Sequence, residues 1–447
     1  MNIRHLARRL AATAMIAAVL RRQKALPYLP SDRIRARRDR AVRRIVAYAA
    51  RNVPHYTELF ARERIDPRSI RSADDLALLP ILNKETIRSD PSRTLARTRA
   101  GRTAERFVTS GSTGTPIEVW HDRRSLLANL AYGERERAII VRACGGNLRP
   151  RELNISYPSA TLRRVWSFYD QNTLIPVRPR RTFVSILDPL DEIVEAINAE
   201  RPEVIVGYGS FLEMLYRYVD GADLDVHTPR MIMHVADGMT APGRELIESR
   251  FKIPVYSRYN AMESFKIGFT CEERNGFHIH EDLCHVRIVR DDGSPADPGE
   301  SGEIVLSNLV NHATVLLGYR IGDRGRLSGE PCPCGRSLAL LSDLEGRSED
   351  VLTTPEGRGV HPRAVWGALK TQAGLLRYQL VQSGRDRFEL ALVTDDDAYE
   401  GVAAAAREGL RLLFGPAARV EIRRVDRLEA GPTGKFRPVL RRYSESP

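Results

Sequence analysis

Between about residues 104 and 240 short apolar runs alternate with helical patterns, and that alternation admits few folds. Residues 153–157, 182–186, 204–206 and 231–235 read as strands, and 189–199 and 211–219 as helices between them. Strands separated by helices of this length form a parallel sheet covered on both faces. From about 255 to 330 the texture changes to strands and turns. Residues 255–259, 285–289, 303–307 and 315–320 read as strands, separated by turns such as Asp291-Asp292-Gly293 and Asp297-Pro298-Gly299. Residues 32–70 read as helical, with apolar residues at helical spacing through Ala41, Ile45, Val46 and Tyr48, a break at residues 53–56, and a short helix through Leu59 and Phe60. Gly346 and Arg347 open a final mixed segment that ends in a 430–434 turn. The fold class is α/β, with expected units at 1–43, 44–345 and 346–447 and a strand-rich part at about 255–340.

At 447 residues and 42% hydrophobic, the chain can bury a large core and form two or three domains. The net charge is +12, but only six of the 69 basic residues are lysine: Lys24, Lys84, Lys252, Lys266, Lys370 and Lys435. The other 63 are arginines, scattered along the chain as a genome-wide coding preference would scatter them. They do not gather into a basic stripe with interleaved aromatics, so a nucleic-acid partner is not expected. The same bias gives a lysine at a special position extra weight. Five cysteines make no disulfide framework and point to a reducing cytoplasm. The arginine-flanked apolar run at 10–20 is too short to span a bilayer. No small-residue cleavage site follows it before Arg21 and Arg22. It reads as a helix packed on the body or lying at a membrane surface, with at most peripheral membrane contact.

Five features carry chemistry. Thr109, Ser110, Gly111, Ser112, Thr113, Gly114 and Thr115 form a hydroxyl- and glycine-rich loop between the apolar flanks Phe107, Val108 and Ile117, Val119, Trp120. Such a loop can wrap N–H groups and hydroxyls around a phosphate, because glycine lets the backbone approach without a Cβ. It is not a Walker loop, since Thr115 and Pro116 stand where Lys-Ser/Thr is required, and a plain hairpin turn is the simpler reading. Glu263 closes the run Tyr259-Asn260-Ala261-Met262-Glu263 just past a strand end, where α/β proteins bind ligands, and a carboxylate there can hold Mg²⁺. An exposed loop glutamate is the alternative. Asp323, behind Gly322, can accept both hydroxyls of a ribose, although a strand followed by a Gly-Asp turn is otherwise ordinary. Arg347, Glu349 and Asp350 lie at the expected boundary, where a hinge would absorb rotation or a solvated linker would run. Lys435, in the Pro/Gly turn at 432–437, can swing over a phosphate.

In this order and spacing the segments resemble the adenylate-forming (AMP-forming) acyl-CoA synthetase superfamily, and within it the phenylacetate–CoA ligases and their capsular-polysaccharide-biosynthesis-type relatives. Residues 49–56, 72–84, 271–282 and 332–336 are similar to that branch as well. The resemblance implies a large adenylating N-terminal domain and a small α+β C-terminal domain that rotates. It puts the ATP phosphates on the 109–115 loop, with Thr109, Glu263 and Lys435 as catalytic residues. It puts the nucleotide against Asp237, Tyr259, Asn260, Asp323 and Arg347, the acyl group against Tyr208, Gly209 and Ala236, and the hinge at Glu349 and Asp350. The implied reaction adenylates a small carboxylic acid with ATP and Mg²⁺, then transfers the acyl group to coenzyme A or to the phosphopantetheine thiol of an acyl carrier protein. Loading of a carrier protein or an amine in polysaccharide or secondary-metabolite assembly, and a catalytically silent zinc-stapled binding protein, are the other readings. Asn260 and Met262 replace the family's usual glycine and Ser/Thr, and residues 236–239 read Ala-Asp-Gly-Met where relatives commonly carry Gly-Glu-Pro or Ala-Glu-Pro. These departures leave the acid open. Cys271, Cys332 and Cys334 with one imidazole make a closed tetrahedral zinc set. The imidazole is His278 by the family pattern, with His280 as the alternative, while Cys144 and Cys284 read as packed small hydrophobes.

Overall fold

The computed structural model describes residues 3–108, 117–156, 161–174, 180–347, 352–357, 359–360, 362–369, 372, 374–428 and 437–442. The helices, in chain order, are α1 (Ile3–Gln23), α2 (Ser31–Asn52), α3 (Pro54–Arg62), α4 (Lys84–Ser89), α5 (Arg99–Arg102), α6 (Arg123–Tyr132) and α7 (Glu134–Ala143). They continue as α8 (Thr161–Asn172), α9 (Leu190–Glu200), α10 (Gly209–Gly221), α11 (Ala241–Glu245), α12 (Pro362–Leu369) and α13 (Tyr399–Phe414). The strands begin with the hairpin β1 (Glu105–Val108) and β2 (Glu118–His121), followed by β3 (Arg151–Ser156), β4 (Arg180–Ser185), β5 (Val204–Tyr208), β6 (Met231–Val235) and β7 (Val255–Tyr259). Next come β8 (Gly268–Phe269), β9 (Phe277–Ile279), β10 (Cys284–Val289), β11 (Gly302–Asn308), β12 (Tyr319–Leu327) and β13 (Leu340–Arg347). The last are β14 (Leu352–Thr353), β15 (Gly359–Val360), β16 (Leu375–Gln382), β17 (Arg387–Thr394), β18 (Arg419–Arg424) and β19 (Val439–Arg441).

Eleven strands form one sheet in the order β10-β11-β12-β13-β9-β8-β7-β6-β5-β3-β4. The pairs from β4 to β7 are all parallel, as the strand–helix alternation predicts. β5 and β6, inside this half of the sheet, run nearly continuously apolar because both faces are covered. Leu153, Ile155, Ile205, Ile232 and Val255 pack toward α9 and α10. Val204, Val206, Met231 and Met233 pack on the opposite face with Ile139 and Ile140 of α7. Each such side chain contributes about 1.5–3 kcal/mol by leaving water. From β7 outward every pairing is antiparallel, matching the change in texture near residue 255.

One expected strand lies elsewhere. Residues 315–320 read as a strand in the sequence, yet β12 starts only at Tyr319 and continues to Leu327, so Asp323 sits within the strand and not in a turn behind it. Val315 and Leu317 are apolar because they are buried beneath α2 and α3. Their N–H groups are satisfied outside any strand ladder, Val315 donating to Thr94 O (3.0 Å) and Leu317 to the Tyr56 hydroxyl (2.7 Å). Gly318 then turns the chain at φ 66°.

The N-terminal helix packs on the body. Ala12 and Ile16 are buried against Leu127 and Ala131 of α6. The Arg9 guanidinium donates to the Thr173 and Asp170 carbonyls (2.7 and 3.1 Å) at the C-terminal end of α8. Among the described residues no helix is long and apolar enough to cross a membrane. Near the C-terminus β16–β19 form a four-stranded sheet in the order β18-β17-β16-β19, and α12 and α13 share its hydrophobic core. The expected hinge residues Glu349 and Asp350 lie outside the described residues.

His121, on β2, is fully buried, with its ring over Phe265 (4.3 Å between centroids). Burial lowers its pKa to about 4, a shift opposed by its hydrogen bond to the Met262 carbonyl and by Asp122. The unfolded ring takes up a proton near pH 6.5, the folded one only near 4. Stability is therefore complete above about pH 6.5 and falls as pH drops toward 4, by up to roughly 3 kcal/mol from this ring. Thermal melts from pH 7 to 4 should show that loss, and His121→Gln should remove this ring's share of it, leaving the share of the His234 and His285 rings, whose pKa values burial also lowers. A variant whose melting temperature tracks the wild type across that window would refute the assignment.

Candidate functional site

Parallel strands present their C-terminal ends along one edge, and ligand sites of open α/β sheets form there. Three segments converge at that edge: Tyr208–Ser210 after β5, Ala236–Met239 after β6, and Asn260–Phe265 after β7. The first two lock together. A Cβ on Gly209 would sit 2.7 Å from the Gly238 carbonyl carbon, so only glycine allows that crossing. The Asp237 carboxylate accepts from the Ser210 hydroxyl (2.6 Å) and backbone N–H (3.3 Å). Beside it Glu213 accepts from the Thr240 hydroxyl (2.8 Å) and N–H (3.0 Å). Ala236 adopts φ 71°, a left-handed conformation that costs about 1–3 kcal/mol outside glycine and that the surrounding bonds sustain.

The third segment carries the expected metal-binding carboxylate. Phe265 closes a tight turn at φ 60°, with its N–H donating to Ala261 O (2.6 Å). Oriented by the hydrogen-bond network, the Asn260 amide nitrogen donates to the Tyr259 and Phe265 carbonyls (3.0 and 3.1 Å). Asn260 thus serves the turn. Glu263 is buried, not an exposed loop residue: its Oε1 accepts from the Tyr319 hydroxyl (3.2 Å), and its carbonyl accepts from Asn308 Nδ2 (3.1 Å). At the end of β7 the Tyr259 hydroxyl donates to Asp323 Oδ2 (2.7 Å). Asp323 lies opposite Arg347 in the β12–β13 register, so the backbone brings these two expected ribose residues together.

The hydroxyl- and glycine-rich loop, Thr109 to Thr115, lies outside the described residues, but its stems are defined. Val108 pairs with Glu118 in the antiparallel β1–β2 register. The stems rest on the Glu263 turn: His121 Nε2 lies 2.7 Å from Met262 O, and the Phe107 ring meets Phe265 edge-on (5.1 Å). Lys435 also lies outside the described residues.

Cys271, His278, Cys332 and Cys334 place one ligand atom each within 4.8 Å of all the others. Cys271 Sγ and Cys332 Sγ are 3.6 Å apart, and Cys334 Sγ is 3.2 Å from His278 Nε2. A disulfide would need about 2.0 Å. Two thiolates on a tetrahedral ion at about 2.3 Å each stand about 3.8 Å apart, which this set matches. His280 is not part of it; its Nε2 lies 3.5 Å from Glu136. Cys144 and Cys284 are buried free thiols, as packed hydrophobes would be.

Several residues the sequence reading passed over pack around these segments: Tyr319, Asn308, His121 and the buried group Glu136, Arg258 and Lys266. Lys266 alone had a signal, as one of the six lysines.

No family model matches the chain. Curated relatives do. The chain is 27% identical over 364 residues to phenylacetate-coenzyme A ligase of Thermus thermophilus, covering 78% of this chain and 77% of that one. It is 22% identical over 440 residues to the phenylacetate-coenzyme A ligase of Aromatoleum evansii, covering 92% and 95%. Among solved structures, 2-hydroxyisobutyryl-CoA ligase in its postadenylation state, in complex with an acyl-AMP, superposes with a TM-score of 0.72 at 16% identity, covering 94% of this chain and 92% of that one. Over most of its length the chain is similar in sequence to phenylacetate-coenzyme A ligases, and its fold is the one seen in an adenylate-forming CoA ligase.

Proposed function

We propose that the chain is an AMP-forming carboxylate–CoA ligase. A small carboxylic acid attacks the α-phosphate of ATP, pyrophosphate leaves, and the resulting acyl-adenylate is captured by the thiol of coenzyme A with release of AMP. The observation that carries this reading is the gathering of Glu263 and the Tyr259–Asp323 pair at the C-terminal end of β7, beside the stems of the phosphate-type loop. Similarity to phenylacetate-coenzyme A ligases over most of the chain supports it.

In this reading the 109–115 loop and Thr109 cradle the phosphates, and Asp323 with Arg347 takes the ribose hydroxyls. Asp237, Tyr259 and Asn260 line the nucleotide, and Tyr208, Gly209 and Ala236 line the acid. Glu263 would hold Mg²⁺, which when bound neutralises phosphate charge. Its buried carboxylate fits that task, because a buried carboxylate is stable as an anion only with cationic or hydrogen-bonding partners. Lys435 stabilises the charge that develops as pyrophosphate departs. Residues 346–447 act as a lid that turns at Glu349 and Asp350, withdrawing Lys435 before the thiol enters.

Pyrophosphate release from ATP and Mg²⁺ with a panel of aryl and aliphatic acids tests the reading. We expect acid-dependent release, with at least a hundredfold loss, on the order of one removed charge-stabilising donor, in Glu263→Gln and in Lys435→Ala. Lys435→Ala should still form thioester from supplied acyl-adenylate. Silence with every acid would sink the proposal. Adenylate formation with transfer only to a carrier protein or an amine would redirect it.

We also assign Cys271, His278, Cys332 and Cys334 a structural zinc, which when bound closes all four positions and pins the loop after β8 and the β9 strand to the segment before β13. Purified protein should carry about one zinc per chain, and Cys332→Ser should lower both the zinc content and the melting temperature. Metal-free protein with four groups open to thiol and imidazole reagents, equally stable with or without a chelator, would argue against it.

A further inference from the structure

Behind the Glu263 turn lies a buried charge cluster that neither the ATP site nor the cysteine cluster uses. Glu136, on α7, has a side chain only 3% exposed. One carboxylate oxygen meets Lys266 Nζ at 2.8 Å and the other meets Arg258 Nε at 2.8 Å. His280 Nε2 stands 3.5 Å from the first oxygen. Next to them Arg135, whose side chain is fully buried, holds Asp282 with one nitrogen at 2.8 and 3.0 Å and faces His280 Nδ1 at 3.1 Å. Burial works against the Glu136 anion, but Lys266, Arg258 and the His280 hydrogen bond outweigh it and hold the carboxyl well below the usual carboxylate range.

The positions of its partners give the cluster its meaning. Arg258 is the residue before Tyr259, whose hydroxyl binds Asp323. Lys266 is the residue after Phe265, which closes the turn holding Glu263. One carboxylate therefore grips the chain on both sides of a seven-residue segment, Tyr259 to Phe265, that holds two expected nucleotide-site groups and the expected metal ligand. The segment contains a non-glycine residue in the left-handed region, so it will not hold its shape unaided. Lys266 also stands out in composition, because arginine fills nearly every other basic position in this chain. A compact ammonium on a slim stem fits where it passes over Gly133, 3.5 Å from the place a Cβ would take. A planar guanidinium would need more width.

We propose that Glu136 is a positioning residue of the adenylation site, acting through Lys266 and Arg258 to set the distance between Glu263 and the Tyr259–Asp323 pair. This rests on the ligase reading given above. Supports behind a metal ligand typically change metal affinity or turnover by about 10- to 100-fold when removed.

The test measures acid-dependent pyrophosphate release against Mg²⁺, ATP and acid concentration in Lys266→Met, Lys266→Arg and Glu136→Gln. Glu152→Gln serves as the control, because Glu152 makes a similarly buried ion pair with Arg181 (2.9 Å) at the opposite end of the sheet. Lys266→Met should raise the Mg²⁺ half-saturation, or lower kcat, about 10- to 100-fold while the KM for the acid stays within about twofold. Lys266→Arg should recover part of that loss, and Glu136→Gln should exceed it. If Glu136→Gln does not fold, the Lys266 pair alone decides. If Lys266→Met only lowers the melting temperature, as Glu152→Gln does, with Mg²⁺ dependence unchanged, the cluster is structural and the proposal fails. A wild-type chain that releases no pyrophosphate with any acid would instead overturn the ligase reading, and this proposal with it.

Discussion

The candidate site depends on the double pairing of β7. On one side it runs parallel to β6, on the other antiparallel to β8. A parallel neighbour puts the end of β7 at the same edge as the ends of β5 and β6, so Tyr259 emerges beside Asp237 and Ser210. An antiparallel neighbour needs only a short return, and the chain from Asn260 to Lys266 is that return. A ligand-facing turn is therefore forced into a few residues, between two strands that cannot slip without turning their buried faces outward. Tight backbone hydrogen bonds, left-handed Phe265 and the Glu136 grip follow from that compression.

The large architecture was legible because it is written in periodicity. Continuous apolar runs between amphipathic helices mean strands covered on both faces, and the parallel half came out with four of its strands close to their expected places. The antiparallel half was read less well, because short strands there share their apolar character with buried loops. Residues 315–317 show the difficulty: burial under α2 and α3 makes them apolar, as a strand would, and only Gly318 separates the two cases. The cysteine–histidine set was legible because few other side chains could serve the same chemistry. The family pattern favoured His278 with His280 left as the alternative, and the coordinates put His278 among the three cysteines and His280 beside Glu136.

The supporting residues were not legible, for a different reason. Tyr319 and Asn308 act through hydrogen bonds to groups distant in sequence, and no local pattern marks such a partner. Glu136 lies in the run Glu134-Arg135-Glu136-Arg137, which reads as a solvated helix face. In the fold this stretch lies under the sheet, and Glu134, Arg135 and Glu136 are all buried. Arginine-rich composition hides such cases twice over, by supplying a counter-charge almost anywhere and by making charged runs look ordinary.

In the proposed ligase reading, the wall formed by Tyr208–Ser210 and Ala236–Met239 bears on how the site would discriminate between acids. Its two segments are fixed to each other by a glycine crossing too close for any side chain and by hydrogen bonds that occupy Asp237 and Glu213. The two hydrogen bonds from Ser210 hold the Asp237 carboxylate in one orientation. A wall of this kind does not reshape itself around an acid. Selection then falls on the few side chains that project from it, and one charge change at Asp237 would alter the wall and the preference together. In the proposed ligase reading, that coupling is the physical reason Asp237-Gly238, standing where Glu-Pro is usual, leaves the acid open.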